Sequence, residues 1–249
     1  MINYQVIRSH RKTLSLQVKQ GLVIVRTPHF VDENYIDSLV QKKSAWLKNK
    51  IAEQARLKNN HCDFSQGSQL FYFGQKVTLD IHFGIKAATF LSLNSHNEQI
   101  LVVTLAVRNK DKLIQYKLSR HKSSENTGLS ARVKKQLELH FKQQAQSLIL
   151  IKTGHFSELT GLMPTGIKIK QYRARWGSCN SRGELSFNYL MMMLPEGVIN
   201  YIVVHELCHL SYLNHSPLFW QLVAKHFPDY RQAKQWLKTH QSELLWRLN

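Results

Sequence analysis

Three histidines and a glutamate in the last fifth of this 249-residue sequence have the types and spacing to hold a metal ion and work on water beside it. In His205-Glu206-Leu207-Cys208-His209, a helix advancing about 100° per residue leaves the two imidazoles about 40° apart, aimed at one point. Glu206 falls about 60° from His209, next to that point without being forced to ligate. Six residues past His209, His215 offers a third imidazole. Catalytic zinc takes three protein ligands and keeps one position for water, so Zn2+ is the expected cofactor. Asp229 and Glu243, the only acids after the motif, are the alternative third ligands, each with a helix cap or a surface charge as its plainer role. Cys208 points about 100° away from His209 and reads as a small buried packing residue.

The chemistry follows from that set. Three neutral imidazoles leave the zinc charge undiminished, which brings the pKa of bound water towards neutrality. Glu206 would take the water's proton and pass it to a leaving amine. Tyr212, Arg173 and Arg175 are candidates for a second electrophile, with packing or a surface ion pair as the alternative. Among thirteen histidines a chance His-Glu-x-x-His carries a probability of roughly a few per cent. A purely structural zinc would need a fourth ligand and has no use for an adjacent base.

Such a site needs a helix that is anchored on its other face. Pro195 opens one, and Ile199, Val203, Leu207 and Leu210 make its apolar stripe. Leu213-Asn214 would end it, and Ser216-Pro217 would cap and start the next, fixing the turn that presents His215. A further helix follows Pro228-Asp229. Upstream, Ser130 to about Leu150 predicts an amphipathic helix carrying Val133, Leu137, Phe141, Ala145 and Leu148. Strands are predicted at Ile167–Ile169 and Glu184–Leu190, with an irregular run Tyr172–Cys179 between them.

Residues 2–27 alternate as three short strands, with a Gln20-Gly21 hairpin turn. Residues 32–58 take helical spacing, with Ile36, Leu39, Val40, Trp46, Leu47 and Ile51 on one stripe and Asp32 as N-cap. Strand signals return at Leu70–Phe73, Val77–Phe83, Thr89–Leu93 and Ile100–Leu105. The N-terminal region therefore reads as antiparallel strands with one long helix over residues 1–107. Residues 108–128 read as a basic linker or insertion, and residues 129–249 as the domain that carries the metal motif.

The chain is strongly basic, with 34 Lys and Arg against 16 Asp and Glu and a net charge of +18. That field suits acidic protein segments or nucleic acid bound through a basic surface, although no nucleic-acid-reading motif accompanies it. No apolar run of about 18 residues predicts a membrane span. The N-terminal segment lacks the continuous apolar stretch of a signal peptide, and three scattered cysteines suit a reducing compartment, so a cytoplasmic location is expected.

The run Arg175-Trp176-Gly177-Ser178-Cys179, with Ser186-Phe187-Asn188, Val203-Val204-His205-Glu206-Leu207-Cys208-His209 and Asn214-His215-Ser216-Pro217-x-Phe219-Trp220, resembles the YgjP-like metallopeptidases. That family is similar to the SprT-like and WLM-type zinc peptidases. The likeness is dense over residues 165–240 and looser towards the N-terminus. It implies zinc on His205, His209 and His215, with Glu206 as catalytic acid and base. It also implies that the strand near Ser186 to Tyr189, with Phe187 and Asn188, borders the cleft and offers an edge to an extended peptide. Trp176, Gly177 and Ser178 would form a tight turn near that cleft, or simply pack. The histidine spacing equals that of metzincins, but Tyr212 stands at their glycine position and no Met-turn follows. The expected protein is α+β: a strand-rich N-terminal region followed by a zincin-like metallopeptidase domain with an active-site helix. Its expected activity is zinc-dependent hydrolysis of protein or peptide. The alternatives are a hydrolase of non-peptide amides or esters and a nucleic-acid-associated protease, and Arg175, Trp176, Phe187, Asn188 and Tyr212 are the candidate substrate contacts.

Overall fold

Short β-branched runs separated by turns, followed by long stretches of helical spacing, fold into two compact units, Met1–His61 and Cys62–Asn249. The structure is a computed structural model that describes residues 2–19, 21–59, 62–107, 126–240, 243, 244 and 246.

In the first unit, β1 (Tyr4–Arg8), β2 (Ser15–Lys19) and β3 (Leu22–Thr27) form one sheet in the order β1-β3-β2. The expected β2–β3 hairpin is present, with Gly21 at φ +80°, the left-handed region its turn requires. β1, however, pairs parallel to β3, where antiparallel strands were expected. Alternation tells which face of a strand is buried but not which direction its neighbour runs. The expected single helix is two, α1 (Glu33–Lys42) and α2 (Ser44–Asn59), broken at Lys43. Val23, Val25, Ile36, Val40 and Leu47 make the core, with Ile51 against it. Trp46, expected on that stripe, is exposed, turned about 100° away from Leu47 along the helix.

The second unit begins with β4 (Gln69–Tyr72), β5 (Gln75–Gly84), β6 (Ala88–Leu93) and β7 (Gln99–Ala106), in the order β4-β5-β7-β6. Here too one pair is parallel, β5 with β7. Helix α3 (Asn126–Thr160) places Val133, Leu137, Phe141, Ala145 and Ile149 one turn apart, all fully buried. They share one core with Leu79, Leu101 and Val103 of the sheet and with Ile199, Val203 and Leu207. The strands at 69–106 thus pack with the metal-motif helix, and the compact units divide at residues 61 and 62. The expected linker at 108–128 lies outside the described residues, apart from its last three, which open α3.

A second sheet, β8 (Gly166–Lys170), β9 (Gly177–Cys179) and β10 (Glu184–Asn188), has the order β8-β10-β9. A 3-10 turn (Tyr189–Met193) leads to α4 (Glu196–Cys208), then α5 (Pro217–His226) and α6 (Tyr230–His240). This mixed architecture, with a strand-rich N-terminal region and a helical C-terminal end, is the one expected.

The tip of the β4–β5 hairpin grips the chain just before α4. The amides of Phe73 and Gly74 donate to the carbonyls of Met192 and Met193 at 2.8 and 3.0 Å. Gly74, at φ +80°, lies so close to Pro195 that a Cβ would stand 2.6 Å from its Cγ, so only glycine allows the contact. Among the described residues no helix is long and apolar enough to cross a membrane.

Candidate metal centre

Helix α4 is buried almost all round, with Val198, Ile199, Ile202, Val203, Val204 and Leu207 all in the core. Its last turn therefore has a fixed orientation. His205 lies in that turn, and His209 is the residue that ends the helix, at φ −67° and ψ −16°. The helix stops earlier than the expected Leu213. The tight turn that replaces it brings the Tyr212 carbonyl back to accept from His209 Nδ1 at 2.9 Å. A carbonyl cannot donate, so Nδ1 carries the proton and Nε2 presents its lone pair.

Ser216 then caps α5, its hydroxyl accepting from the Phe219 amide at 3.3 Å, with Pro217 at the first helical position. This holds His215 against His205, with the two Nε2 atoms 3.1 Å apart. One nitrogen from each of His205, His209 and His215 can be chosen so that all lie within 4.8 Å of one another. Two bonds of 2.0–2.1 Å at a tetrahedral angle would set nitrogens roughly 3.3 Å apart, so the cluster fits a small tetrahedral cation. Aromatic rings back it. Phe219 stacks on His209 at 4.5 Å between centroids, and Trp220 stacks on His215 at 5.6 Å. The Tyr201 hydroxyl, one turn before His205, lies 3.4 Å from His205 Nδ1.

Glu206 is only 5% exposed, and among the described residues its Oε2 has no hydrogen-bond partner. Burial pushes its carboxyl up to about 8, against the opposing pull of the Arg175 charge. Burial also carries His205 down to about 3, helped by the neighbouring His209, His215 and Lys234, and it lowers His209 as well. Neutral imidazoles beside a carboxyl that can gain and lose a proton near neutral pH are suited to a cation and to proton transfer.

The carboxylate lies against the backbone of β9. A Cβ on Gly177 would sit 2.6 Å from both Cγ and Oε1 of Glu206. Strand β9 cannot retreat freely, because it is paired to β10 through Gly177 and Phe187. Gly177→Ala is therefore expected to cost about 2 kcal/mol in denaturant unfolding, the usual scale for overpacking a tight interior. An unchanged midpoint would mean that the Glu206 side chain yields without resistance.

A cleft of about 400 Å³ opens over these groups, lined in part by Arg175, Trp176, Cys179, Tyr201, Leu213 and the three histidines. Arg175 and Trp176 are thus where substrate contacts were expected. Phe187 and Asn188, also expected there, are absent from the lining residues: β10 is the central strand of its sheet and both side chains are buried. Asn188 instead ties down the preceding loop, its Nδ2 donating to the carbonyls of Tyr172 and Arg175 at 3.1 and 3.2 Å. The edge strand beside Glu206 is β9. Tyr212 is absent from the lining and contributes its carbonyl to His209. Asp229 and Glu243 also stand outside the histidine cluster; Glu243 pairs with Lys76 at 3.1 Å. Gly177's contact with Glu206 and the place of Tyr201 are not legible as site features in the motif. The spacing of Tyr201, four residues before His205, was the available signal for the second.

The family model of the YgjP-like metallopeptidase domain matches residues 12–240. No curated protein matches the chain. Among solved structures, the metallopeptidase zymogen abylysin of Pyrococcus abyssi is similar at 22% identity and a TM-score of 0.35, covering 38% of this chain and 96% of its own.

Proposed function

The chain belongs to the YgjP-like metallopeptidase family, and from that premise we propose that it is a zinc peptidase whose metal is held by His205, His209 and His215, with Glu206 as the catalytic acid and base. The observation that carries the reading is the buried Glu206 carboxylate, one oxygen without a hydrogen-bond partner among the described residues, next to three imidazoles whose nitrogens gather within 4.8 Å. When bound, zinc supplies a Lewis acid that polarises the substrate carbonyl and acidifies water.

The rest is the work of the protein's own groups. Neutral imidazoles keep their lone pairs available and leave the metal its full charge. The Glu206 carboxylate receives the proton that water loses as its oxygen joins the carbonyl carbon, and holds it in a site shielded from solvent. It delivers that proton to the amide nitrogen as the carbon–nitrogen bond breaks. The Tyr212 carbonyl keeps His209 in the tautomer that faces the cleft. An extended peptide would run along β9, whose pairing with β10 leaves its other edge unpaired in the sheet. Arg175 and Trp176 line its path.

Metal removal tests the proposal. A strong chelator should abolish hydrolysis of an unstructured protein substrate, and about one equivalent of Zn2+ should restore it. Hydrolysis that survives complete metal removal would rule the reading out, as would activity confined to non-peptide esters.

A further inference from the structure

The histidine cluster has positive charge on the loop before β9 and on α6, and among the described residues no acid pairs with that charge. Arg175 lies on the loop between β8 and β9. Asn188 pins that loop by holding the carbonyls on either side of residues 173–174, and its own amide donates to the Trp176 carbonyl at 2.8 Å. The Tyr172 ring lies beneath the Arg175 guanidinium, 5.6 Å away, and the Tyr172 hydroxyl is bonded to Ser178 of β9 at 2.8 Å. The guanidinium is thus placed by a rigid local framework although it is exposed. Its charge is felt at Glu206.

From α6, the Lys234 ammonium sits 3.9 Å above the Trp220 ring, which stacks on His215, and its charge is felt at His205. Two acids of the flanking elements are paired with lysines and a third is buried. Glu184 pairs with Lys168 at 2.7 Å, Glu196 pairs with Lys152, and Glu206 is interior. Among the described residues no carboxylate forms an ion pair with Arg175 or Lys234. A protein with net charge +18 adds a long-range field of the same sign.

We infer that Arg175, assisted by Lys234, selects peptide substrates carrying a carboxylate side chain next to the cleaved bond. This rests on the peptidase reading above and adds the substrate class to it. Arg175 presents a planar, permanently charged fork that matches a carboxylate, and Glu206, the one acid among the cleft's lining residues, is buried beside the histidines.

The test uses the whole metal-loaded chain and matched quenched peptides that differ at one position beside the cleaved bond, carrying Glu, Gln or Lys. The expected order of kcat/KM is Glu over Gln over Lys, with Glu ahead of Lys by about tenfold at low salt and less as salt rises. Arg175→Gln should shrink the Glu-to-Lys ratio to about twofold, Arg175→Lys should keep most of it, and Arg175→Glu should invert it. A ratio unchanged in Arg175→Gln overturns the inference, whatever happens to the overall rate. The same peptides bound to Glu206→Gln protein, followed by fluorescence anisotropy, report the preference without turnover. If the wild type cleaves none of the peptides but the binding order holds and depends on Arg175, the peptidase reading fails and carboxylate recognition stands. If the binding order is absent, the inference fails on its own.

Discussion

Glu206→Gln is expected to lower peptide hydrolysis by about three orders of magnitude while the protein keeps its full complement of metal. The two side chains have nearly the same shape, so the fit against Gly177, where a Cβ would already be 2.6 Å from Oε1, is preserved. What disappears is the ability to take and return a proton, a contribution worth roughly 10²- to 10⁴-fold in rate. The amide is neutral, as is the protonated carboxyl that burial favours at this 5% exposed position, so the variant should unfold no earlier than the parent. Metal analysis beside steady-state kinetics decides the matter. A variant that retains a tenth of the activity would show that another group moves the proton. One that loses its metal would show that Glu206 is a ligand.

His215→Ala has the second large effect, and it acts on the metal itself. His215 is exposed and sits on the loop just before Ser216, the N-cap of α5, so its truncation should leave the metal-free protein as stable as the parent. His205 and His209 remain, but two imidazoles bind zinc far more weakly than three. Loss of an outer partner alone costs about 10- to 100-fold in affinity, so removal of a ligand should exceed about 100-fold and take the activity with it. Competition against a chelator of known affinity measures this directly. Undiminished, stoichiometric zinc in the variant would return the third position to an acid, and Asp229 or Glu243 would then have to move towards the cluster.

The local parts of this site are legible in the sequence. Two imidazoles four residues apart on a helix and a third held by a Ser-Pro start are consequences of spacing and capping, and the structure gathers them. The parallel partners β1–β3 and β5–β7 are not legible, because period-two alternation is the same whichever way a neighbour runs. The burial of Phe187 and Asn188 is hidden in the sequence for a related reason. A buried central strand and a substrate-lining edge strand carry similar apolar residues, and only the order β8-β10-β9 separates them. The irregular look of Tyr172–Cys179 hid β9, whose three residues are too few to show a period. Gly177 is visible as a glycine, but the carboxylate that occupies its missing side chain comes from 29 positions later in the chain.

The hydrogen bonds from Phe73 and Gly74 to Met192 and Met193 also bear on the order in which the molecule assembles. They join points 119 positions apart along the chain, whereas the three histidines fall within eleven consecutive positions, 205 to 215. Encounters between distant segments are slow compared with those inside one short stretch. A newly made chain can therefore collect its imidazoles early, while the brace ahead of α4 and the seat for Glu206 on β9 arrive later. On the proposed reading, cation capture would precede catalytic competence, and an incompletely folded copy already carrying its ion would lack the placed base needed to cut its neighbours.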